Sequence, residues 1–277
     1  MQRTGGPKIS ASGKSSGDRL LLVLGLFTVD QPQWTVDDAA KQLGVSGPTA
    51  YRYFKRLTNS GLISPVSGAS YVLGPAIIQM DRQIQICDPM LRAARGVMHT
   101  LIARAGAGAA LLLCRLFHDG VMCVNQVLGQ GPQAPVSYER GRMMPLFRGA
   151  TSKIILAHLP TRKLKPLFAR SAAEIAQAGL GKNWEQFRSS LASIRRSGTV
   201  VTHGEIDLDR VGIGAPLFDR NGKVLGSLSF ALSARRTSYV LIERLTPLLI
   251  TGARDIEHLM NDEPASQISP ARLRVAR

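Results

Sequence analysis

The segment Val36–Lys55 (VDDAAKQLGVSGPTAYRYFK) constrains this chain more tightly than any other part of it. Its spacing predicts two short helices meeting at a tight turn. Thr35 stands before the first as an N-cap, and Asp37 and Asp38 fall in the first turn, where the helix dipole favours negative charge. Ala39, Ala40 and Leu43 form the apolar face, with Ala40 small enough for two axes to approach closely. Gly44 breaks the helix at a turn that needs backbone angles other residues resist. The second helix opens at Ser46 and tolerates Pro48 in its first turn, where a missing N–H costs nothing. Ala50, Tyr53, Phe54 and Leu57 recur at helical spacing as its inner stripe, and Gly61 lies just past its end.

Burying that stripe turns Gly47, Thr49, Tyr51, Arg52, Lys55 and Arg56 outward. These side chains hydrogen-bond phosphates and base edges, and the N-terminal part of such a helix enters the major groove of duplex DNA. Thr49, Tyr51 and Arg52 are assigned to base or near-base contacts, and Ser46, Lys55 and Arg56 to phosphates. Leu62–Ser64 and Ser70–Leu73 read as two strands around a Ser67-Gly68 turn, a wing that adds Ser70 to the DNA set. Upstream, Leu20, Val23, Leu24 and Phe27 predict a helix with Asp18 as N-cap, ended by Gln31-Pro32. Arg19, with Lys8 and Lys14, is assigned further phosphate contacts. The alternative reading is a winged helix used for protein contacts, with Arg52 and Lys55 merely solvated.

Charge supports a polyanionic partner without locating it. The net charge is +16, yet residues 1–75 hold only eight Lys and Arg against four Asp, leaving +12 for the rest. Each cation placed on a phosphate releases counterions, so double-stranded DNA is the expected partner. Hydrophobic residues make up 44 % of the chain, enough for real cores. The longest early apolar run, Leu20–Phe27, is far short of the roughly 20 residues that cross a bilayer, so no membrane span is expected. Cys87, Cys114 and Cys123 form no CxxC, and no secretory segment precedes them, which points to a reducing cytoplasm.

The domain layout expected is a basic arm over 1–17, a winged helix-turn-helix over 18–75, a linking helix over 76–88 closed by Asp88-Pro89, a second domain over 89–260 and a tail over 261–277. In the second domain, Ala110–Leu116 and Val121–Val127 read as strands around His118-Asp119-Gly120. Ile213–Phe218 and Val224–Leu232 pair around Arg220–Lys223, whose Asn-Gly step is a strong hairpin signal. Helices are expected at Leu91–Arg104, Ala150–His158, Trp184–Ser197 and Tyr239–Leu259. Antiparallel hairpins with helices at both ends define an α+β class rather than a doubly wound parallel sheet.

Cys114, His118 and Cys123 match no common zinc spacing, and cysteine inside an apolar strand behaves as a small hydrophobe, so no metal is expected. Glu205, Asp207 and Asp209 alternate along an extended segment, read as a solvated loop. No nucleophile–base set or phosphate loop accompanies them, so neither a cofactor nor an enzymatic reaction is expected. An enzyme built on the second domain is the alternative, marked by turnover that survives deletion of residues 1–88.

The order of the Gly17-Asp18-Arg19-Leu20 helix, the winged helix-turn-helix, the Ser70–Gly74 wing, the linking helix, Gly141-Arg142-Met143-Met144-Pro145-Leu146 and Gly214-Ala215-Pro216-Leu217 resembles the IclR (isocitrate lyase regulator) family over about Asp18–Leu259. The resemblance implies a GAF-like effector-binding domain, dimers or tetramers, and control of catabolic operons by small organic acids or aromatics. It places Met143, Phe147, Gly149, Ser152, Gly212, Ser227 and Ser229 near an effector pocket, with Arg142 or Arg148 as carboxylate clamps. Two departures fall in these segments: Phe147 stands where the family usually has His, and Gly212 where it often has Cys. Effector binding is then expected to shift the spacing of two winged helices through the linking helix.

Overall fold

The computed structural model describes residues 15–131 and 137–262, so Lys8, Lys14 and most of the expected arm and tail lie outside the described residues. The chain divides into two compact units, one ending at Ile86 and one beginning at Cys87.

The first unit begins with α1 (Ser16–Leu24), and Asp18 is not its N-cap. Ser15 takes that place: its Oγ accepts the Asp18 N–H at 3.2 Å while Asp18 Oδ2 accepts the Ser15 N–H at 3.0 Å. This reciprocal box moves the helix start upstream. The helix also stops at Leu24, well before Gln31-Pro32, although Phe27 beyond its end still packs on the unit's core. After β1 (Trp34–Thr35) come α2 (Val36–Leu43) and α3 (Gly47–Asn59), as the spacing predicted. Thr35 Oγ1 caps α2 by accepting the Asp38 N–H at 3.1 Å, and Gly44 closes it in the left-handed region at φ 65°.

Strands β2 (Ile63–Val66) and β3 (Ser70–Leu73) form the wing, and β1 adds to β3 as a third strand. Gly68 and Ala69 both take positive φ in its turn. Val23, Leu43, Tyr53, Phe54, Leu57 and Ile63 make the core, and Tyr71 of β3 meets Phe54 edge-on at 4.9 Å. Helix α4 (Pro75–Cys87) has no buried residue and exposes Ile78, Met80 and Ile84.

The second unit is a six-stranded antiparallel sheet with helices on both faces. Asp88 caps α5 (Pro89–Ala105), accepting the Met90 and Leu91 N–H groups at 2.9 and 3.1 Å, and Arg115 grips the same carboxylate at 2.6 Å. There follow β4 (Ala110–Phe117), β5 (Gly120–Leu128), β6 (Met143–Met144), α6 (Ala150–Ala157), α7 (Thr161–Gln177), α8 (Trp184–Ser197), β7 (Val200–His203), β8 (Arg210–Phe218), β9 (Val224–Ser233) and α9 (Tyr239–Asp262). The strand order is β6-β5-β4-β9-β8-β7.

Alternation along the strands separates two cores, since successive side chains point to opposite faces. Leu111 and Leu113 join Ile213, Phe230 and the α5–α9 layer, whereas Ala110, Leu112 and Cys114 join the α6–α7–α8 layer. Helix α7 has no counterpart among the helices expected from sequence. Pro166 inside it and the non-helical Ser171 at φ −129° interrupt its period, but Leu164, Leu167 and Ile175 still bury.

Candidate nucleic-acid interface and ligand pocket

Helix α3 sorts its residues by side as the local pattern requires. Ala50, Tyr53, Phe54 and Leu57 are buried, Gly47, Arg52, Lys55 and Arg56 are exposed, and Thr49 is half-buried at the margin. Ser46 does not cap the helix with its side chain. Its Oγ–H instead donates to Thr49 Oγ1 at 2.9 Å, and Arg52 Nη2 reaches the same oxygen at 3.5 Å. Ser46, Thr49 and Arg52, spaced by three, thus form an ordered hydroxyl–guanidinium row along one edge of the helix.

Tyr51 is 56 % exposed and lines a cleft of ≈ 260 Å³ together with Ser70 of the wing and Thr35–Asp37. Ser70 itself is half-buried, its Oγ–H donating to Gly68 O at 3.5 Å. Arg19 lies on α1, outside the helix-turn-helix. It is half-buried there, with a buried Nε that has no hydrogen-bond partner.

In the second unit, α6 is buried on every side, including Lys153. Such enclosure requires close approach to the sheet, and glycines provide it. A Cβ on Gly212 would lie 2.9 Å from Thr202 Oγ1 and 3.0 Å from Ala150 Cβ, and one on Gly214 would lie 2.7 Å from Ala150 O. Gly149, which caps α6 at φ 81°, has the Tyr138 hydroxyl and Ile206 where a side chain would stand.

Around this helix start lies a small cavity of ≈ 30 Å³ lined by Leu112, Tyr138, Gly149, Glu205, Gly212 and Phe230, among others. About 10–15 Å³ admits one water on this measure, so the space has room for water but not for an aromatic acid. Its ionised groups are already engaged. Glu205 accepts from Lys153 Nζ at 2.6 Å and from the Gly149 N–H at 2.8 Å. Asp207 accepts the Ser137 N–H at 3.0 Å and the Ser137 hydroxyl, and Arg210 Nη1 donates to Gly108 O at 2.7 Å. Thr202 Oγ1 accepts the Ala150 N–H at 3.1 Å. Three neutral hydroxyls, Tyr138 Oη, Ser152 Oγ and Ser229 Oγ, are buried in and beside the cavity without a hydrogen-bond partner. Burial pushes the Tyr138 phenol well above its ordinary value, with Cys114, Asp207 and Glu205 adding to the shift. It is therefore a neutral donor at any working pH.

The residues assigned to the pocket from sequence separate into three groups. Gly149 and Gly212 line it. Ser152, Ser227 and Ser229 are buried between α6 and the sheet, Ser227 donating to Thr151 O at 3.1 Å, and Phe147 is a core residue. Arg142 and Arg148 are exposed and outside the lining, and Met143 is 39 % exposed on the edge strand β6. Neither arginine is placed to clamp a carboxylate in this cavity. Tyr138, Thr202, Glu205, Asp207 and Arg210 were not assigned from sequence. Glu205 and Asp207 are also not parts of a solvated loop: each is half-buried with hydrogen-bond partners, while Asp209 alone is exposed.

His118 sits in the β4–β5 turn against Phe117 rather than beside both cysteines, and no three His, Cys, Asp or Glu side chains cluster as metal ligands among the described residues. Among those residues no helix is long and apolar enough to cross a membrane.

Comparison with known proteins matches residues 16–67 to the IclR helix-turn-helix domain and residues 88–258 to the C-terminal domain of the bacterial transcriptional regulator IclR. The HTH-type transcriptional regulator KipR of Bacillus subtilis is 22 % identical over 212 residues, covering 76 % of this chain and 83 % of KipR. The fold is similar to that of an IclR transcriptional regulator from Alicyclobacillus acidocaldarius, with TM-score 0.73, 22 % identity, and 88 % and 98 % of the two chains covered. It is also similar to an IclR homolog from Microbacterium hydrocarbonoxydans solved with 4-hydroxybenzoate, with TM-score 0.72, 19 % identity, and 90 % and 100 % covered.

Proposed function

This chain belongs to the IclR family of bacterial transcriptional regulators, and from that premise we propose that α3 reads an operator while a small organic acid, bound at the start of α6, sets how tightly it does so. The observation that carries the reading is the division of α3: its apolar stripe is buried and its cations and hydroxyls are presented outward. Thr49, Tyr51 and Arg52 contact base edges, Ser46, Gly47, Lys55 and Arg56 hold phosphates, and Ser70 adds a wing contact. A regulator of a catabolic operon fits this arrangement better than an enzyme, because the pocket's charged groups are consumed by structural partners rather than aimed at a substrate.

An acid entering the pocket meets the Tyr138 hydroxyl as a donor, and it has to displace Tyr138 and Ile206 from over Gly149 to find room. A ligand that binds only the opened pocket shifts the population toward that state, and operator affinity follows if the two states hold the winged helices differently. Residues 76–88 are the transmitting helix in this scheme. The exposed Ile78, Met80 and Ile84 of α4 are apolar surface for a second copy, consistent with a dimer or a dimer of dimers, whose mass light scattering measures.

The test is fluorescence anisotropy on duplexes from the region upstream of the neighbouring genes, with and without 4-hydroxybenzoate or a short aliphatic acid. Nanomolar, sequence-selective binding that changes with an acid supports the reading. Binding no tighter than to random duplex at every salt concentration removes it.

A further inference from the structure

Two thiols face each other in the β4–β5 hairpin because of a bulge. The pairing steps from Leu113↔Asn125 to Cys114↔Cys123, passing over Val124. An uninterrupted ladder would set Cys114 against Val124 and Cys123 against Arg115, so the extra residue alone brings the sulfurs opposite each other. Bulges re-aim side chains in this way.

The backbone shows which kind of pair this is. Cys123 O accepts the Gly141 N–H at 2.8 Å, on the side away from β4, and Cys114 O faces Gly226 of β9 on its own far side. With both carbonyls turned outward the pair is of the non-hydrogen-bonded type, where opposite Cα atoms are about 4.5 Å apart and side chains come closest. That spacing falls inside the roughly 4.4–6.8 Å that a disulfide spans. Both side chains are fully buried in the same core cluster.

We propose that Cys114 and Cys123 are a site of reversible intrachain disulfide formation, with hydrogen peroxide as the oxidant. The neighbouring Cys114 side chain, the Asn125 backbone and the nearby Arg140 together hold the Cys123 thiol below its ordinary value against the opposing effect of burial, whereas burial pushes Cys114 up. Cys123 is therefore the attacking group. Its thiolate takes one peroxide oxygen as sulfenic acid and releases hydroxide, which the thiol proton converts to water. Cys114 then attacks that sulfur, and its own proton leaves with the sulfenic oxygen as a second water. Two thiols and one peroxide become one disulfide and two waters.

Peroxide is scarcely larger than water, and the cavity at α6 opens toward the same core: Leu112, two residues from Cys114 on the same strand face, lines it, as does Tyr138, which lies within electrostatic reach of Cys114. The bond would tie β4 to β5 beside the segment that carries Tyr138. That segment is anchored to β5 through Gly141 and through Arg140 Nε, which donates to Val124 O at 2.8 Å. The proposal rests on strand register and stands whether or not an acid is the effector.

The test treats the full-length chain with hydrogen peroxide, unfolds it in an alkylating agent and counts labelled thiols. Three cysteines, Cys87 included, are free at the start. The expected result is a mass lower by two hydrogens, one thiol still labelled, and a tryptic peptide ending at Arg115 joined to the one holding Cys123, all reversed by dithiothreitol. Cys87→Ala leaves the bond intact, whereas Cys114→Ala or Cys123→Ala abolishes it. Three labelled thiols after treatment, a bond to Cys87, or a lone sulfinic acid on either strand cysteine would overturn the proposal.

Discussion

Helices α3 and α6 are both short and both entered through a glycine, yet the fold uses them in opposite ways. Gly47 opens α3 with nothing within 4 Å of where a Cβ would stand, and the helix carries Arg52, Lys55 and Arg56 into solvent. Gly149 opens α6 beneath the Tyr138 hydroxyl and Ile206, and the helix holds its single cation, Lys153, inside against Glu205. A cation left in water costs the fold little and is available to an external polyanion. One taken into the interior has to be matched by the protein itself, and its partner then belongs to the structure. Presentation suits recognition of something outside, and enclosure suits a site whose occupancy is felt by the whole domain.

The largest effect that separates the two helices is on stability. Lys153→Met leaves the partly buried Glu205 carboxylate without its cation, and breaking such a pair costs about 3 kcal/mol. Denaturant unfolding followed through Trp184 measures it, and Lys153→Met with Glu205→Leu recovers most of the loss. Were the single substitution to cost no more than Arg52→Ala does, the contrast between enclosed and presented cations would be broken. Next comes the glycine pair. Gly149→Ala places a side chain at φ 81° against Tyr138 and costs about 2.5 kcal/mol, whereas Gly47→Ala changes stability by less than about 0.5 kcal/mol.

Operator affinity sharpens the comparison from the other side. Arg52→Ala is expected to weaken binding by about 2 kcal/mol, roughly 30-fold, on the preferred duplex, with melting temperature unchanged. Lys55→Ala should instead weaken binding about equally on every sequence and lower the salt slope by about 1. Equal losses for Arg52→Ala on operator and random duplex would move that arginine from the base set to the phosphate set.

The same contrast explains which parts of the molecule could be read from sequence. Helix α3 is a local object: Ala50, Tyr53, Phe54 and Leu57 fix its inner side within a few turns, and what faces out follows by elimination. The pocket is assembled from Leu112, Tyr138, Gly149, Thr202, Glu205 and Gly212, residues whose meeting is set by the sheet order and has no local period. Gly149 and Gly212 were reachable because resemblance singled out their segments. Tyr138, Thr202 and Glu205 carried no such mark, and nothing in the run from Gly141 to Arg148 says that both arginines turn outward. The α1 cap was missed because Ser15 and Asp18 are both good capping residues, and only the reciprocal bond between them selects the first. Helix α7 was missed because Pro166 and Ser171 break the pattern that Leu164, Leu167 and Ile175 still obey in space.

The smallest expected effect lies at the far end of the enclosed helix. His158 closes α6 with its Nδ1–H donating to Ile154 O at 2.8 Å and its ring edge-on to Phe218 at 5.0 Å. Burial, with Arg195 adding to it, lowers its pKa below the ordinary 6.5 despite that hydrogen bond. Because the folded value lies under the unfolded one, the unfolded chain takes up the proton first as pH falls through about 6.5. Stability is then flat above neutrality, declines as pH drops from there toward the folded value, and levels off below it. Unfolding midpoints at pH 7.5 and 5.5 test this, with His158→Gln as the comparison: the parent should lose more stability between the two than the variant does. Identical losses would show that the cap of α6 is hydrated, and the enclosure of that helix would end at Ala157 without reaching His158.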